Sequence, residues 1–275
     1  MKILVPFDFS QESINALKLG KEMSTKLKLD LKVIHSLGIS DYPYYKTEEA
    51  DRLKEIVLTN AKSEMRKILK GFFIDPNAIE LEIADSKASP HIIRTSRERE
   101  IIFTVLGRKD QHIPDRIGST TRDIIRYANN SVISISKELQ FDTLKDILFV
   151  TDFEPTPVNA LSTVKMIQRA NNATLKLLYV NTRENWQSTS ETKNRMEEFC
   201  KLHGLANADL EIINDDSLEK GVLNHIKSAP VDLIAIRINS SYGKLDIMDT
   251  HLSAERIMDH SETPILTYSK DRYLG

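Results

Sequence analysis

Two groups of polar residues in this 275-residue sequence have the chemistry needed to hold a small ligand that carries hydroxyl or phosphate groups. Asp8 ends the apolar run ILVPF, and its carboxylate can accept hydrogen bonds from ligand hydroxyls. Gly118, Ser119 and Thr120 open a helical pattern, where backbone N–H groups can hold a phosphate and a glycine allows its close approach. Together they predict a binding site, provided that the fold brings them to one place.

Each group also has a purely structural interpretation. Asp8, together with Ser10, can cap the helix that follows, because short oxygen-bearing side chains satisfy the first N–H groups of a helix. The second group can be a loop glycine with an ordinary serine or threonine cap. Gly107, which follows another apolar run, can likewise be a loop glycine. The residues alone leave both interpretations open.

Alternating strand and helix patterns must position these residues. The first half contains the strand-like runs KILVPF, DLKVIHSL (30–37), AIELEIA (78–84), IIFTVL (101–106) and SVISI (131–135). The segments between them carry apolar residues near helical spacing. This order predicts an α/β fold with a parallel sheet covered by helices on both faces. Ligands bind such sheets beyond the carboxyl ends of the strands, so we expect Asp8 and residues 118–120 to share one rim.

The sequence contains a long internal repeat. Residues 3–17 read ILVPFDFSQESINAL, and residues 147–161 read ILFVTDFEPTPVNAL. A shift of 144 aligns residues 3–35 without a gap and pairs Asp8 with Asp152, whereas the closing segments align with a shift of about 133. A period of this length indicates a duplicated domain. We predict domains at 1–139 and 143–275, with the boundary in the polar stretch KELQFDTLKD.

Composition and missing motifs exclude several functional classes. The net charge of −2 gives no indication of a basic surface for nucleic acid. No apolar stretch is long enough for a signal peptide or a membrane span. Cys200 is the single cysteine, which favours a reducing compartment, and cytoplasm is the expected location. The seven histidines show no metal spacing. No Gly-x4-Gly-Lys-(Ser/Thr), His-x-Gly-His or Gly-x-Ser-x-Gly motif occurs, so no P-loop ATPase, nucleotidyl transferase or serine hydrolase is expected.

Taken together, these features resemble the universal stress protein family over almost the whole chain. The opening phrase resembles the family's first strand, acidic turn and first helix, and VIHS (33–36) resembles its second strand. Gly107 and Gly118-Ser119-Thr120 resemble parts of its ATP loop, Gly-x2-Gly-x9-Gly-(Ser/Thr). The resemblance implies two tandem Rossmann-like domains, each a five-stranded parallel sheet flanked by helices, arranged as an intrachain pseudo-dimer.

The resemblance also implies a ligand, which is ATP or another adenine nucleotide with or without Mg²⁺. Asp8 would then face ribose or adenine, and Ser36 would offer its backbone to adenine. The phosphates would be held by Gly107, Gly118, Ser119 and Thr120.

Both halves depart from the family's loop. In the first half Asp110 stands at the second glycine, and seven residues rather than nine separate it from the third. In the second half Ser240 stands near the first glycine and Gly243 near the second, while His251-Leu252 replace Gly-Ser. We therefore expect nucleotide binding in the first half and a degraded site in the second.

Three functions follow as hypotheses. The first is a stress-response regulatory protein whose bound ATP, ADP or AMP biases a surface for a protein partner. The second is a scaffold of the same fold that acts through protein contacts without nucleotide. A slow ATPase ranks last, because the sequence offers no base, metal set or nucleophile, and the protein is expected not to be an enzyme.

Assembly follows from the repeat. Single-domain members of the family resemble dimers joined through their last strands. Here SVISI and PILTY would pair within one chain, because exposed last strands would be edges open to aggregation. A homodimer of such tandem chains stays open as a further level of assembly.

Overall fold

Strands and helices alternate in both halves of the chain. The structure is a computed structural model that describes residues 1–38, 48–72, 79–109, 118–128, 130–153, 161–205, 207–238 and 250–269. The first half contains β1 (Lys2–Pro6), α1 (Gln11–Leu27), β2 (Asp30–Ser36), α2 (Glu48–Phe72), β3 (Glu80–Ala84), α3 (Ala88–Ser96), β4 (Ile101–Gly107), α4 (Ser119–Tyr127) and β5 (Ser131–Ile135). The second half contains β6 (Asp146–Val150), α5 (Ser162–Asn171), β7 (Thr174–Asn181), α6 (Thr189–His203), β8 (Asp209–Asn214), α7 (Leu218–Ser228), β9 (Leu233–Ile238), α8 (Thr250–His260) and β10 (Ile265–Ser269).

The strands of both halves join into one sheet of ten strands in the order β3-β2-β1-β4-β5-β10-β9-β6-β7-β8. Neighbours within each half are parallel, so each half supplies a five-stranded parallel layer. The layers meet where β5 and β10 pair antiparallel, with Ile133 opposite Leu266. The intrachain pairing predicted for the two last strands is thus confirmed, and it gives the pseudo-dimer its continuous sheet.

Two apolar cores cover the two faces of the sheet, because successive side chains of a strand point to opposite sides. Ile3 and Val5 of β1 belong to one core, which also contains Leu17 of α1. Leu4 belongs to the other core, with Ile124 of α4. Each core includes residues of both halves, so the halves are packed together and not merely tethered.

The stretch between the halves is anchored on the body of the protein. Phe141 and Leu144 are buried in the core on the α1 side. The backbone N–H of Phe141 donates to the carboxylate of Glu22 in α1 at 2.6 Å. The stretch predicted as a polar separator therefore contributes two core side chains, and the exact domain limits stay a prediction.

Polar contacts also tie the second half to α4 and to the residue after β4. Glu255 of α8 is buried and forms ion pairs with Arg122 at 3.2 Å and with Arg126 at 2.5 Å. Arg108 is buried too, and its guanidinium donates to the backbone carbonyl of Met258 at 2.7 Å and to that of Ser261 at 2.6 Å. The Glu255 carboxylate of the second half is thus paired with α4, the helix predicted to hold a ligand.

A buried lysine holds the outer strands of the first half. Lys32 of β2 is 4 % exposed, and its Nζ lies 3.0 Å from a carboxylate oxygen of Glu80, 3.1 Å from one of Glu82 and 2.9 Å from one of Glu98. The hydrogen bond from Lys2, with that from Lys32, lowers the pKa of Glu80. Burial alone would raise the pKa of Glu82, but hydrogen bonds from His91 and Lys32 outweigh it and lower that pKa.

Replacing Lys32 with methionine should therefore weaken the fold in a pH-dependent way. Carboxylates whose pKa is lower in the folded state stabilise it above their unfolded pKa, and that contribution is lost as pH falls through the folded pKa. We expect the difference in unfolding free energy between wild type and Lys32→Met to be largest near neutral pH and to shrink below about pH 4. Urea unfolding of both proteins near neutral pH and below about pH 4 measures this difference. An equal difference in unfolding free energy under the two conditions would contradict the expectation.

Candidate functional site

The turn after β1 explains why this strand ends in an acid. Asp8 Oδ1 accepts hydrogen bonds from the backbone N–H of Ser10 at 3.0 Å and from the Ser10 hydroxyl. Ser10 is the N-cap of α1 and accepts from the backbone N–H of Ser13 at 3.2 Å. Phe9, between them, adopts the left-handed conformation with φ of 66°, which is uncommon for a bulky residue and marks a constrained turn. Asp8 thus supports the cap that Ser10 makes.

The second carboxylate oxygen of Asp8, Oδ2, takes no part in the hydrogen bonds with Ser10. Burial alone would raise the pKa of Asp8, but hydrogen bonds from the hydroxyl and backbone N–H of Ser10 outweigh it and hold the pKa below its usual value. The carboxyl is therefore ionised at neutral pH. None of the described residues donates to Oδ2, and the side chain belongs to the wall of a cavity. The capping and ligand interpretations are compatible, because each uses a different oxygen.

That cavity lies at the carboxyl ends of β1, β2 and β4, where the strand order of the first half reverses. Its empty volume is about 640 Å³, including space open to solvent. It is lined by Pro6, Phe7, Asp8, Ser13, Ile34, Ser36, Ala88, Ile92, Leu106, Gly107, Thr120, Thr121 and Ile124. The wall therefore combines apolar strand and helix residues with a small set of hydroxyls and one carboxylate.

Gly107 has a packing role at this cavity. A Cβ on Gly107 would lie 2.2 Å from the backbone carbonyl carbon and oxygen of Glu12, in the first turn of α1. No side chain fits at that distance, so glycine is required for α1 to approach β4. The close approach brings the Asp8 turn and the end of β4 to the same cavity.

Backbone N–H groups at the start of α4 are not capped by any side chain of the described residues. Gly118 is the N-cap of the helix, with φ of −54° and ψ of 143°. A Cβ at Gly118 would have no heavy atom within 4 Å. Because the first N–H groups of a helix have no intrahelical partners, this open helix mouth suits an anionic group. Asp110 and the rest of the preceding loop lie outside the described residues.

Ser36, His91 and Glu82 form a hydrogen-bonded relay that sequence reasoning missed. His91 of α3 is 1 % exposed, and its Nε2 lies 2.7 Å from Glu82 Oε1. Its Nδ1 lies 2.8 Å from the Ser36 hydroxyl oxygen. An ionised carboxylate can only accept, so Nε2 carries a proton, and in the neutral imidazole Nδ1 is then the acceptor for the Ser36 hydroxyl. Sequence reasoning placed only the backbone of Ser36 at the site, because its partner histidine is 55 residues away.

Strand register identifies the second-half counterpart of Gly107. In the first half Leu4 pairs with Thr104, and in the second Leu148 pairs with Ile234. Since Leu4 and Leu148 are equivalent in the repeat, the residue three positions after Thr104, Gly107, corresponds to Arg237. The sequence alignment had placed Ser240 near this position. It erred because the repeat shift is 130 in these strands and not 133.

Arg237 closes the second-half rim. Its side chain is 6 % exposed, and its Nη2 lies 2.5 Å from Asp152 Oδ2, so the equivalent of Asp8 is neutralised from within the chain. The corresponding cavity, lined by both residues, has an empty volume of about 370 Å³, against about 640 Å³ in the first half. Ser240 and Gly243 lie outside the described residues, as do the side chains of His251 and Leu252.

The fold agrees with comparison to known proteins. Residues 1–135 match the universal stress protein family. The first half of the chain belongs to this family. A universal stress protein from Archaeoglobus fulgidus DSM 4304 has a similar structure, with a TM-score of 0.73, 14 % identity and 98 % of each chain covered. No curated protein matches the sequence as a relative.

Two other solved structures have a similar fold. A protein of unknown function from Pseudomonas aeruginosa PAO1 has a TM-score of 0.63 at 15 % identity, covering 98 % of this chain and 92 % of that one. The cytoplasmic domain of a prokaryotic cation chloride cotransporter has a TM-score of 0.58 at 12 % identity, covering 99 % and 96 %. At such identities the likeness establishes the fold and says nothing of ligand or activity.

The described part of this universal stress protein brings some of the predicted site residues together. Four of the six predicted residues line the first-half cavity, namely Asp8, Ser36, Gly107 and Thr120. The other two, Gly118 and Ser119 at the start of α4, are not among its lining residues. Their roles in binding stay predictions.

Neither a membrane-spanning helix nor a metal-binding cluster is found among the described residues. None of the helices there is both long and apolar enough to cross a membrane. Within the same ranges, no three His, Cys, Asp or Glu side chains are grouped so that they could share a metal ion.

Proposed function

We propose that the first half of this universal stress protein binds ATP or another adenine nucleotide, and that the protein acts as a nucleotide-responsive regulator in a stress response. One observation carries the proposal. A carboxylate with an uncommitted oxygen and a residue of the uncapped first turn of α4, Asp8 and Thr120, line the same cavity. A nucleotide needs both an acceptor for its ribose hydroxyls and donors for its phosphates.

The residues present fit such a ligand. Asp8 Oδ2 would accept from ribose hydroxyls, since Oδ1 is already used by Ser10. Backbone N–H groups of the first turn of α4, with the hydroxyls of Ser119 and Thr120, would hold phosphate, and the space beside Gly118 leaves room for it. Apolar wall residues such as Ile34 would face the base. This assignment agrees with the roles that the family resemblance implies.

The proposal assigns one nucleotide to each chain. In the second half Arg237 stands at the position of Gly107 and binds the carboxylate that would otherwise face ribose. A ligand would have to displace this ion pair and fit a smaller cavity. Calorimetric titration with ATP, with and without Mg²⁺, should therefore give about one site per chain.

Gly118→Asp tests the proposed phosphate site. Aspartate fits without a clash and is a good N-cap, so the variant should fold as well as wild type. Its negative charge at the helix mouth should lower the affinity for ATP at least about tenfold. Gly118→Asn is the matched control, because asparagine has nearly the same shape and capping ability without the charge, and it should bind within a few-fold of wild type.

Other results would favour the alternative functions. Absence of heat at millimolar ATP, with no nucleotide released from the purified protein by acid, would contradict the proposal and favour a scaffold that acts through protein contacts. Equal loss of binding in Gly118→Asp and Gly118→Asn would contradict the electrostatic role of this position. Phosphate release that is lost in Asp8→Asn would indicate a slow ATPase.

A further inference from the structure

The Ser36 hydroxyl has the environment of an activated nucleophile. It is on the wall of the first-half cavity, and its oxygen lies 2.8 Å from His91 Nδ1, which accepts its hydrogen bond when the imidazole is neutral. His91 is in turn held by Glu82 at 2.7 Å. A hydroxyl, an imidazole and a carboxylate in a hydrogen-bonded series are the groups that make a serine nucleophilic, here with the hydroxyl on Nδ1 and the carboxylate on Nε2.

We propose that Ser36 is a catalytic nucleophile and that the first-half cavity cleaves small carboxylic esters by acyl transfer. His91 is the general base, and Glu82 is a positioning residue that holds the proton on Nε2. This activity is separate from nucleotide binding, although both would use the same cavity.

The cavity supplies the other features that acyl transfer needs. Ile34, Ile92, Leu106 and Ile124 line it and offer an apolar surface to an acyl chain. Ala88, the first residue of α3, also lines the cavity. Lys87 is the N-cap of this helix, and its side chain makes no capping hydrogen bond. First-turn N–H groups of α3 therefore lack intrahelical partners and can donate to the oxyanion of a tetrahedral intermediate.

The chemical steps balance without a metal or cofactor. Ser36 Oγ attacks the ester carbonyl carbon, and its proton passes to His91 Nδ1. The C–O bond to the alcohol breaks, and the leaving alkoxide takes that proton from His91. Water then attacks the acyl-serine and gives its proton to His91, and Ser36 recovers the proton as the carboxylic acid leaves.

The second half shows which part of the relay is structural. His225 lies 3.4 Å from Glu211, and Glu211 is the register equivalent of Glu82. The equivalent of Ser36 is Val180, which packs closely against Gly221 of α7. A His–Glu pair thus anchors a helix to an outer strand in both halves, whereas the hydroxyl is specific to the first half.

A fluorophosphonate probe tests the proposal in the full chain. Such a probe forms a bond from phosphorus to an activated serine oxygen while fluoride leaves and His91 takes the proton. We expect mass spectrometry to find the label on Ser36, and Ser36→Ala to abolish it. His91→Gln should slow labelling by about 100-fold or more, and p-nitrophenyl acetate hydrolysis should fall in parallel. An unlabelled Ser36 in wild type, or wild-type labelling in a folded His91→Gln variant, would overturn the proposal.

A thiol provides a second measurement in case His91→Gln does not fold. In Ser36→Cys, alkylation by iodoacetamide at the introduced thiol should be at least about 10-fold faster than at Cys200, because a paired imidazole promotes the thiolate. Cys200 is the internal reference, since burial raises the pKa of its thiol. Equal rates at the two thiols would overturn the proposal.

Added ATP separates this proposal from the proposed function. If nucleotide binds in the same cavity, it should slow labelling of Ser36 by the fluorophosphonate. Labelling that ATP does not change would count against nucleotide binding and leave the nucleophile intact. If calorimetry shows that ATP binds and ATP slows the labelling of Ser36, both the nucleotide site and the nucleophile are supported.

Discussion

Gly107→Ala should lower the free energy of unfolding by about 3 kcal/mol, because a Cβ at this position would lie 2.2 Å from the backbone of Glu12. The obstacle is main chain, so no rotamer change can relieve it. Either α1 must move off β4 or β4 must shift in the sheet, and each movement opens the core beneath. Urea unfolding followed by circular dichroism measures the loss.

Gly71→Ala is the matched control for this substitution. Gly71 lies near the end of α2, and a Cβ there would have no heavy atom within 4 Å. Alanine is favoured over glycine in helices, so this variant should be as stable as wild type or slightly more stable. If Gly107→Ala proved as stable as Gly71→Ala, the close approach of α1 and β4 would be disproved.

Glu255→Gln should lower the free energy of unfolding by about 2 kcal/mol or more. The Glu255 side chain is 5 % exposed, and its carboxylate is shared by Arg122 and Arg126 of the other half. Removing one member of a buried ion pair leaves uncompensated charge, which costs more than the pair contributes. The two arginines are about one third exposed, 35 % and 33 %, so solvent screening reduces the cost below that of a fully buried pair.

Glu262→Gln provides the control at the same junction. Glu262 pairs with Lys137 across the halves at 2.5 Å, but both side chains are more than half exposed. Exposed pairs contribute little, so we expect a change within about 0.5 kcal/mol. Equal effects of Glu255→Gln and Glu262→Gln in urea unfolding would show that burial of the ion pair has no energetic consequence.

The element order could be predicted because it depends on local patterns, and the repeat because the halves share residues such as Asp8 and Asp152. The pairing of the last strands followed from the resemblance to dimeric family members. An apolar run followed by a helical pattern identifies a strand and its helix, and the order of such units specifies a parallel sheet. The placement of Asp8 at a strand end followed from the same patterns. Its second role, in supporting the Ser10 cap, also agrees with a prediction made from residue type.

Strand register and long-range contacts could not be predicted in the same way. Arg237 corresponds to Gly107 because the repeat shift between β4 and β9 is 130, three residues less than in the closing segments. The residue types alone do not reveal this difference. The relay from Ser36 to Glu82 joins residues on two strands and a helix, and it depends on how α3 lies across the sheet. Such contacts are set by packing, which a pattern of residue types does not encode.

The antiparallel join of β5 and β10 has a genetic consequence. In a dimer of identical chains, every substitution occurs twice, once in each subunit, so neither pocket can change alone. When both copies are part of one polypeptide, each evolves separately, and a mutation that fills one pocket leaves its neighbour intact. The glycine at 107 and the arginine at 237 are such a difference between the halves, and every molecule synthesised carries the larger and the smaller pocket in a fixed ratio that gene dosage cannot alter.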